Sequence, residues 1–116
     1  MSFEETEYIL STLGYTDIEQ TKDYNYNGNV HYRVDGYKQA TKDNKKYYLN
    51  LVVDYIPWSK PYQISISLAL YNENKKFIST FIDSFGPDIT IEQYSKGDLE
   101  KADKQLLEYF EDYKGE

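Results

Sequence analysis

Cysteine is absent from this 116-residue chain. That excludes disulfides, thiolate nucleophiles and cysteine-type zinc sites together, and it agrees with a reducing compartment. Histidine, tryptophan, methionine and arginine occur once each (His31, Trp58, Met1 and Arg33). Three prolines and six glycines are too few for a flexible linker, and no repeat or low-complexity tract divides the chain, so we read residues 1–116 as one domain. None of the glycine patterns that cradle phosphates or present a nucleophile (GxGxxG, GxxxxGK[ST], GxSxG) occurs, which argues against nucleotide chemistry by a known loop. No apolar run approaches the ~20 residues of a spanning helix, and mean hydropathy is -0.79. The start, Met1-Ser2-Phe3-Glu4-Glu5, lacks the basic and apolar regions of a secretory signal. A cytoplasmic location is the expectation. The Lys-, Asn-, Ile- and Tyr-rich usage fits an AT-rich source such as a low-GC bacterium or one of its phages.

Aromatics and acid are abundant. Aromatic residues make up 17% of the chain, and fourteen of them are tyrosine. Disordered chains lack such large apolar groups. Net charge is -7, within the ~2–8 that keeps a small domain soluble, but it is unevenly spread. Residues 1–23 hold six acids and one base, and 98–116 hold seven acids and three bases. Residues 24–97 hold seven acids and nine bases. The ends are acidic and the middle is mildly basic.

The pattern predicts an α+β fold: an antiparallel sheet of four or five hairpin-connected strands with an amphipathic helix at each end. Ser2 and Glu5 fit a capping box, and Phe3, Thr6, Ile9, Leu10 and Leu13 recur at helical spacing, so a helix is expected over 3–13, ended by Gly14. Strands are expected over 18–26, 29–40, 46–56, 62–71 and 76–83. Asn27-Gly28 is the strongest hairpin signal; Asp35-Gly36 fits a second hairpin or a bulge. Residues 41–45 read as a turn, and Pro57 to Pro61 breaks the strand before it. Ile64, Ile66, Leu68 and Leu70 alternate with Gln63, Ser65, Ser67 and Ala69, which predicts one covered and one open face. Asn72–Lys75 and Gly86-Pro87-Asp88 read as turns; Ile89–Tyr94 fits either a strand or a lead-in. A final helix over 98–113 has Asp98 as its expected N-cap and Leu99, Ala102, Leu106, Phe110 and Tyr113 as its apolar stripe. The clean alternation of 64–70 favours both helices on one face of the sheet.

Candidate sites are few. His31 can in principle serve as a general base, but no nucleophile stands near it in sequence, and a strand-surface position is the simpler expectation. Carboxylate pairs occur at Glu4/Glu5, Asp83/Asp88 and Glu108/Glu111/Asp112; solvated helix faces explain the helical ones, and no EF-hand spacing is present. We assign no catalytic residue, no cofactor and no metal. The tyrosines suit either strand packing or an interface, where they give rigid contact area. Direct nucleic-acid binding is disfavoured by net charge, and no membrane partner is expected.

What remains is an acidic protein-binding inhibitor, expected to meet a protein with a basic, nucleic-acid-binding surface by presenting carboxylates where phosphates would lie. The expected contacts are Glu4, Glu7, Glu100, Asp103, Glu108, Glu111, Asp112, Tyr109 and Tyr113. In type, being small, cysteine-free, acidic and motif-free, the chain resembles phage-encoded inhibitors of bacterial defence, anti-CRISPR proteins among them; no motif carries that resemblance, so no residue role is transferred. An immunity protein or antitoxin against a basic toxin is the first alternative. A small-ligand domain with a pocket between sheet and helices, using His31, Tyr32 and Trp58, is the second.

Overall fold

Ser2 opens the first helix as its spacing predicts. In the computed structural model, Glu5 N–H donates to Ser2 Oγ at 3.2 Å and Ser2 N–H to Glu5 Oε1 at 3.0 Å. Helix α1 spans Phe3–Thr12 and ends at Gly14, whose φ of +97° lies where glycine is favoured. The structure describes residues 1–26, 28–56, 63–82 and 89–115. The expected features at Asn27, Pro57–Pro61, Trp58, Tyr62, Asp83 and Gly86–Asp88 lie outside them.

Strands β1 (Thr16–Tyr26), β2 (Asn29–Lys42), β3 (Lys45–Ile56), β4 (Gln63–Asn72) and β5 (Phe77–Ile82) follow, then the short β6 (Ile89–Thr90). They form one antiparallel sheet in the order β1-β2-β3-β4-β5, with β6 also pairing β4. Neighbours in sequence are neighbours in space because each long pairing is a hairpin. Tyr26 faces Asn29 across the first turn, and Gly28 takes φ +85° there. Lys42 faces Lys45 across Asp43-Asn44, both with positive φ, as a type I′ turn requires. Asp35-Gly36 forms no hairpin: Gly36 lies mid-strand in β2, opposite the bulge between Thr16 and Glu19 of β1. A Cβ at Gly36 would stand 3.1 Å from both Ile18 Cγ1 and Tyr15 Cβ, a tight contact that glycine avoids where the two strands approach closely.

Helix α2 spans Lys96–Asp112. It starts two residues before the expected point: Ser95 is the N-cap, and Asp98 is the third helical residue, its Oδ2 accepting Ser95 N–H at 2.9 Å. No basic residue lies in its last turn. Lys42, at the end of β2, supplies the missing cation and donates to the carbonyls of Phe110 (2.9 Å), Glu111 (2.5 Å) and Tyr113. These carbonyls lie at or just past the helix end, where the helix's own N–H donors run out; that of Phe110 also accepts Tyr113 N–H at 3.1 Å.

Both helices pack on one face. Leu10 of α1 and Leu99, Ala102, Leu106 and Phe110 of α2 bury against Leu49, Leu51, Val53 and Tyr55 of β3 and Ile64, Ile66, Leu68 and Leu70 of β4. Each fully buried aliphatic side chain contributes ~1.5–3 kcal/mol. Four tyrosines, Tyr15, Tyr47, Tyr55 and Tyr94, belong to this core. Their hydroxyls need partners when buried: Thr6 Oγ1 bonds Tyr55 at 2.6 Å and Tyr94 at 2.8 Å. Burial drives the Tyr94 hydroxyl pKa up. Among the described residues no helix is long and apolar enough to cross a membrane.

Candidate functional site

Two surfaces stand out, one on each side of the molecule. The helix layer holds the residues singled out from the sequence, but it uses them unequally. Glu4, Glu100, Glu108, Glu111 and Asp112 are exposed, and none of them enters an ion pair among the described residues. Glu7 is half-buried and accepts a hydrogen bond from Gln20 Nε2. Asp103 is turned inward, where its Oδ1 accepts from Lys38 Nζ at 2.7 Å and from the Tyr15 hydroxyl at 2.8 Å. Burial, followed by the Asp103 charge, pushes the Tyr15 pKa up. Tyr109 stacks on Phe81 with ring centroids 5.6 Å apart. Tyr113 is half-buried, edge-on to Tyr47 at 5.9 Å and to Phe81. Asp103, Glu7 and Tyr113 therefore hold the fold together, and the outward acids are the other five.

The exposed acids of α2 are concentrated at one end. Lys101 and Lys104 accompany Glu100 near the middle, whereas Glu108, Glu111 and Asp112 crowd the C-terminal turns. A helix C-terminus carries partial negative charge, so each acid there costs ~0.3–1 kcal/mol before screening. Leu107 and Tyr109 are exposed beside them. Where α1 meets the start of α2, a cleft of about 540 Å³ is lined by Met1, Glu4, Glu5, Tyr8, Ile9, Tyr94, Ser95 and Lys96, with Tyr8 67% exposed at its rim.

Among the described residues the opposite face of the sheet carries no helix, yet it buries polar groups. His31, Asn50 and Asp54 are only 6%, 3% and 9% exposed. His31 Nε2 lies 2.8 Å from Asp54 Oδ1. Arg33 donates to the same carboxylate through Nε at 2.7 Å and Nη2 at 3.2 Å. Its guanidinium lies 3.6 Å from the centre of the Tyr24 ring, close enough for cation–π attraction. Asn50 Nδ2 donates to the Gly36 carbonyl at 3.1 Å and to Asp35 Oδ2 at 3.3 Å. Register explains the grouping: Arg33 faces Asp54, and Tyr24 faces His31. At the other end of this face Tyr71 stands edge-on to Tyr37 (5.4 Å) and to Phe77 (5.8 Å). Burial, then the neighbouring Tyr71, Asp35 and Glu19, pushes the Tyr37 pKa up to about 12. Between the two ends runs an open groove of about 720 Å³, floored by Val52, Ser67 and Ala69.

His31 is thus not the strand-surface residue expected from the sequence. Its carboxylate partner is 23 positions away and joins it only through strand pairing. Asp54, which follows the apolar run Leu51-Val52-Val53, is the available signal. The pocket expected between sheet and helices is not found among the described residues: that interface is the solid core, Tyr32 lies on its side against Phe3 (4.8 Å), and Trp58 is outside the described residues. The polar concavity is on the other face. Among the described residues no group of three His, Asp or Glu side chains is arranged to hold a metal. Comparison with protein-family models, curated proteins and solved structures found no match.

Proposed function

We propose that this chain is a non-enzymatic inhibitor that docks the acidic end of its helix layer on a basic protein surface, of the kind that otherwise grips nucleic acid. The observation that carries the reading is the position of Glu108, Glu111 and Asp112. They are exposed and outside any ion pair among the described residues, and Glu111 and Asp112 lie in the last turn, where the helix dipole disfavours acids and Lys42 offsets only part of that cost. Departures from local stability rules concentrate at functional sites. Leu107 and Tyr109 add exposed apolar area beside the charge, the mixture expected of an interface centre and its rim. Glu100 and Glu4 extend the surface across the two helices; Asp103, Glu7 and Tyr113 belong to its support. Phage or other mobile-element origin, and a bacterial defence protein as the target, are the biological setting this reading favours.

The test is affinity capture from an AT-rich bacterial host with the parent chain and with a Glu108→Lys, Glu111→Lys, Asp112→Lys variant. The parent should retain a nucleic-acid-binding protein whose affinity falls steeply with salt, and the variant should not. Equal capture of that partner by both chains ends the proposal.

A further inference from the structure

The groove on the open face is not used by the helix-layer reading. We infer that it is a binding site for a neutral, polyhydroxylated ligand, a short oligosaccharide, with its polar end at Arg33 and its stacking end at Tyr71 and Phe77. Its volume of about 720 Å³ lies within the ~300–1,000 Å³ of small-molecule sites.

The charges in its lining select against ions. Arg33 and Asp54 cancel one another across their paired contacts. Asp35 and Glu19 lie beside them, directly opposite each other on β2 and β1, and would repel a phosphate or carboxylate. A cationic ligand would find Asp54 already committed, one oxygen to His31 and Arg33 and the other to Arg33. The lining is not apolar enough for a lipid: Asn50, Ser67 and Thr80 share it with Val52 and Ala69.

The remaining polar atoms suit hydroxyl groups. Arg33 spends Nε–H and one Nη2–H on Asp54. The other guanidinium donors make no hydrogen bond among the described residues, and the plane is already held by Asp54 and the Tyr24 ring. Such a fixed fork loses little freedom on binding. Ser67 and Thr80 offer hydroxyls that both donate and accept, which matches a sugar hydroxyl. At the far end Tyr71 and Phe77 meet at 77°, and Phe77 is 58% exposed. Two ring faces at a corner, with their negative quadrupoles, fit the C–H faces of pyranose rings. Short side chains on the floor leave the depth for them.

The experiment is a titration of the full chain with maltotriose, cellotriose and chitotriose, followed by backbone amide shifts. One of these should shift residues 50–54, 63–71 and 77–80, and leave α1 and α2 unmoved. Phe77→Ala, at an exposed position, and Ser67→Leu, which fills the floor, should each weaken that binding about tenfold, equivalent to ~1.4 kcal/mol, with amide spectra that remain folded. The inference is overturned if no saccharide shifts the groove at millimolar concentration, if the shifts survive both substitutions, or if an oligolysine peptide shifts the same residues and the sugars do not. None of these outcomes depends on the helix layer, so the two proposals fail separately.

Discussion

Leu49, Leu51, Val53 and Tyr55 of β3 are buried beneath the two helices, while Asn50, Val52 and Asp54, on the other face of the same strand, are almost as buried with no helix over them among the described residues. The two faces reach low exposure by different means. On the helix side, apolar side chains fill the space between layers, and the hydroxyls of Tyr55 and Tyr94 are satisfied by Thr6. On the open side, cross-strand hydrogen bonds and an aromatic stack compensate for the desolvation of charged and amide groups. The first arrangement generates stability through area removed from water. The second holds polar groups in a fixed geometry, which a site needs and a core does not.

Truncation should expose the contrast most strongly. Leu106→Ala removes a fully buried side chain from the helix side and should cost about 3 kcal/mol, within the range for buried leucines. Val52→Ala on the open face should cost about 1 kcal/mol, because the groove already lies above it. Urea midpoints measured on both variants check this; equal losses would mean that the open face is packed as a core.

Asp54→Ala comes next. It leaves Arg33 and His31 without the carboxylate that both contact. Removing one member of a buried pair costs ~3–5 kcal/mol when the survivor is fully buried, and Arg33 retains partial solvent access, so about 2 kcal/mol is expected here. If the double variant with Arg33→Met loses less than Asp54→Ala alone in urea melts, the loss comes from the stranded charge and not from lost packing.

Much of this is legible in the sequence. The alternation of Ile64 to Leu70 identified β4 and its covered face, and Ser2/Glu5 identified the helix start, because both signals lie within a few residues of each other. The polar cluster was not readable, since His31, Arg33 and Asp54 meet only through the β2–β3 register. The inward placement of Asp103 is not readable for the same reason. Composition marks it as one acid among many in an acidic helix, and only the tertiary contacts with Lys38 and Tyr15 turn it inward. Asp98 could stand equally well as a cap or as the third residue of a capping box, and Ser95 decides between them. The short β6 and the inward end of Tyr113 likewise depend on neighbours far along the chain.

A smaller effect separates stability from binding on the helix layer. Glu111→Lys and Asp112→Lys replace acids at the C-terminal end of α2 with the charge that the helix dipole favours. Each should stabilise the fold by at most about 0.5 kcal/mol at low salt, since Lys42 already occupies the end carbonyls, while weakening capture of a basic partner. Thermal melts and capture run on the same variants read the two quantities. Destabilisation by either substitution would remove the argument that these acids are kept at a cost.

The smallest effect concerns Asp35, which sits on the open face opposite Glu19. Burial raises its pKa above the ordinary 3.8, with Glu19 and Asp54 adding to the rise and Asn50 and Arg33 opposing it. The folded state therefore binds this proton more readily than the unfolded chain does. By linkage, the group's contribution to stability is most favourable below 3.8 and is lost as pH rises through the raised folded value. Asp35→Asn removes that loss and also the like-charge opposition with Glu19, which is unfavourable across adjacent strands. The variant should be more stable than the parent at neutral pH, and the difference should close as pH falls below 3.8. Urea midpoints on both sides of that window are the measurement. A gap that persists unchanged into acid would mean that Asp35 binds its proton equally well folded and unfolded, so that the gain does not come from its charge; a variant less stable than the parent at neutral pH would mean that the hydrogen bond to Asn50 holds the carboxylate more strongly than burial opposes it, and that this part of the open face is tuned for a charge and not for a neutral ligand.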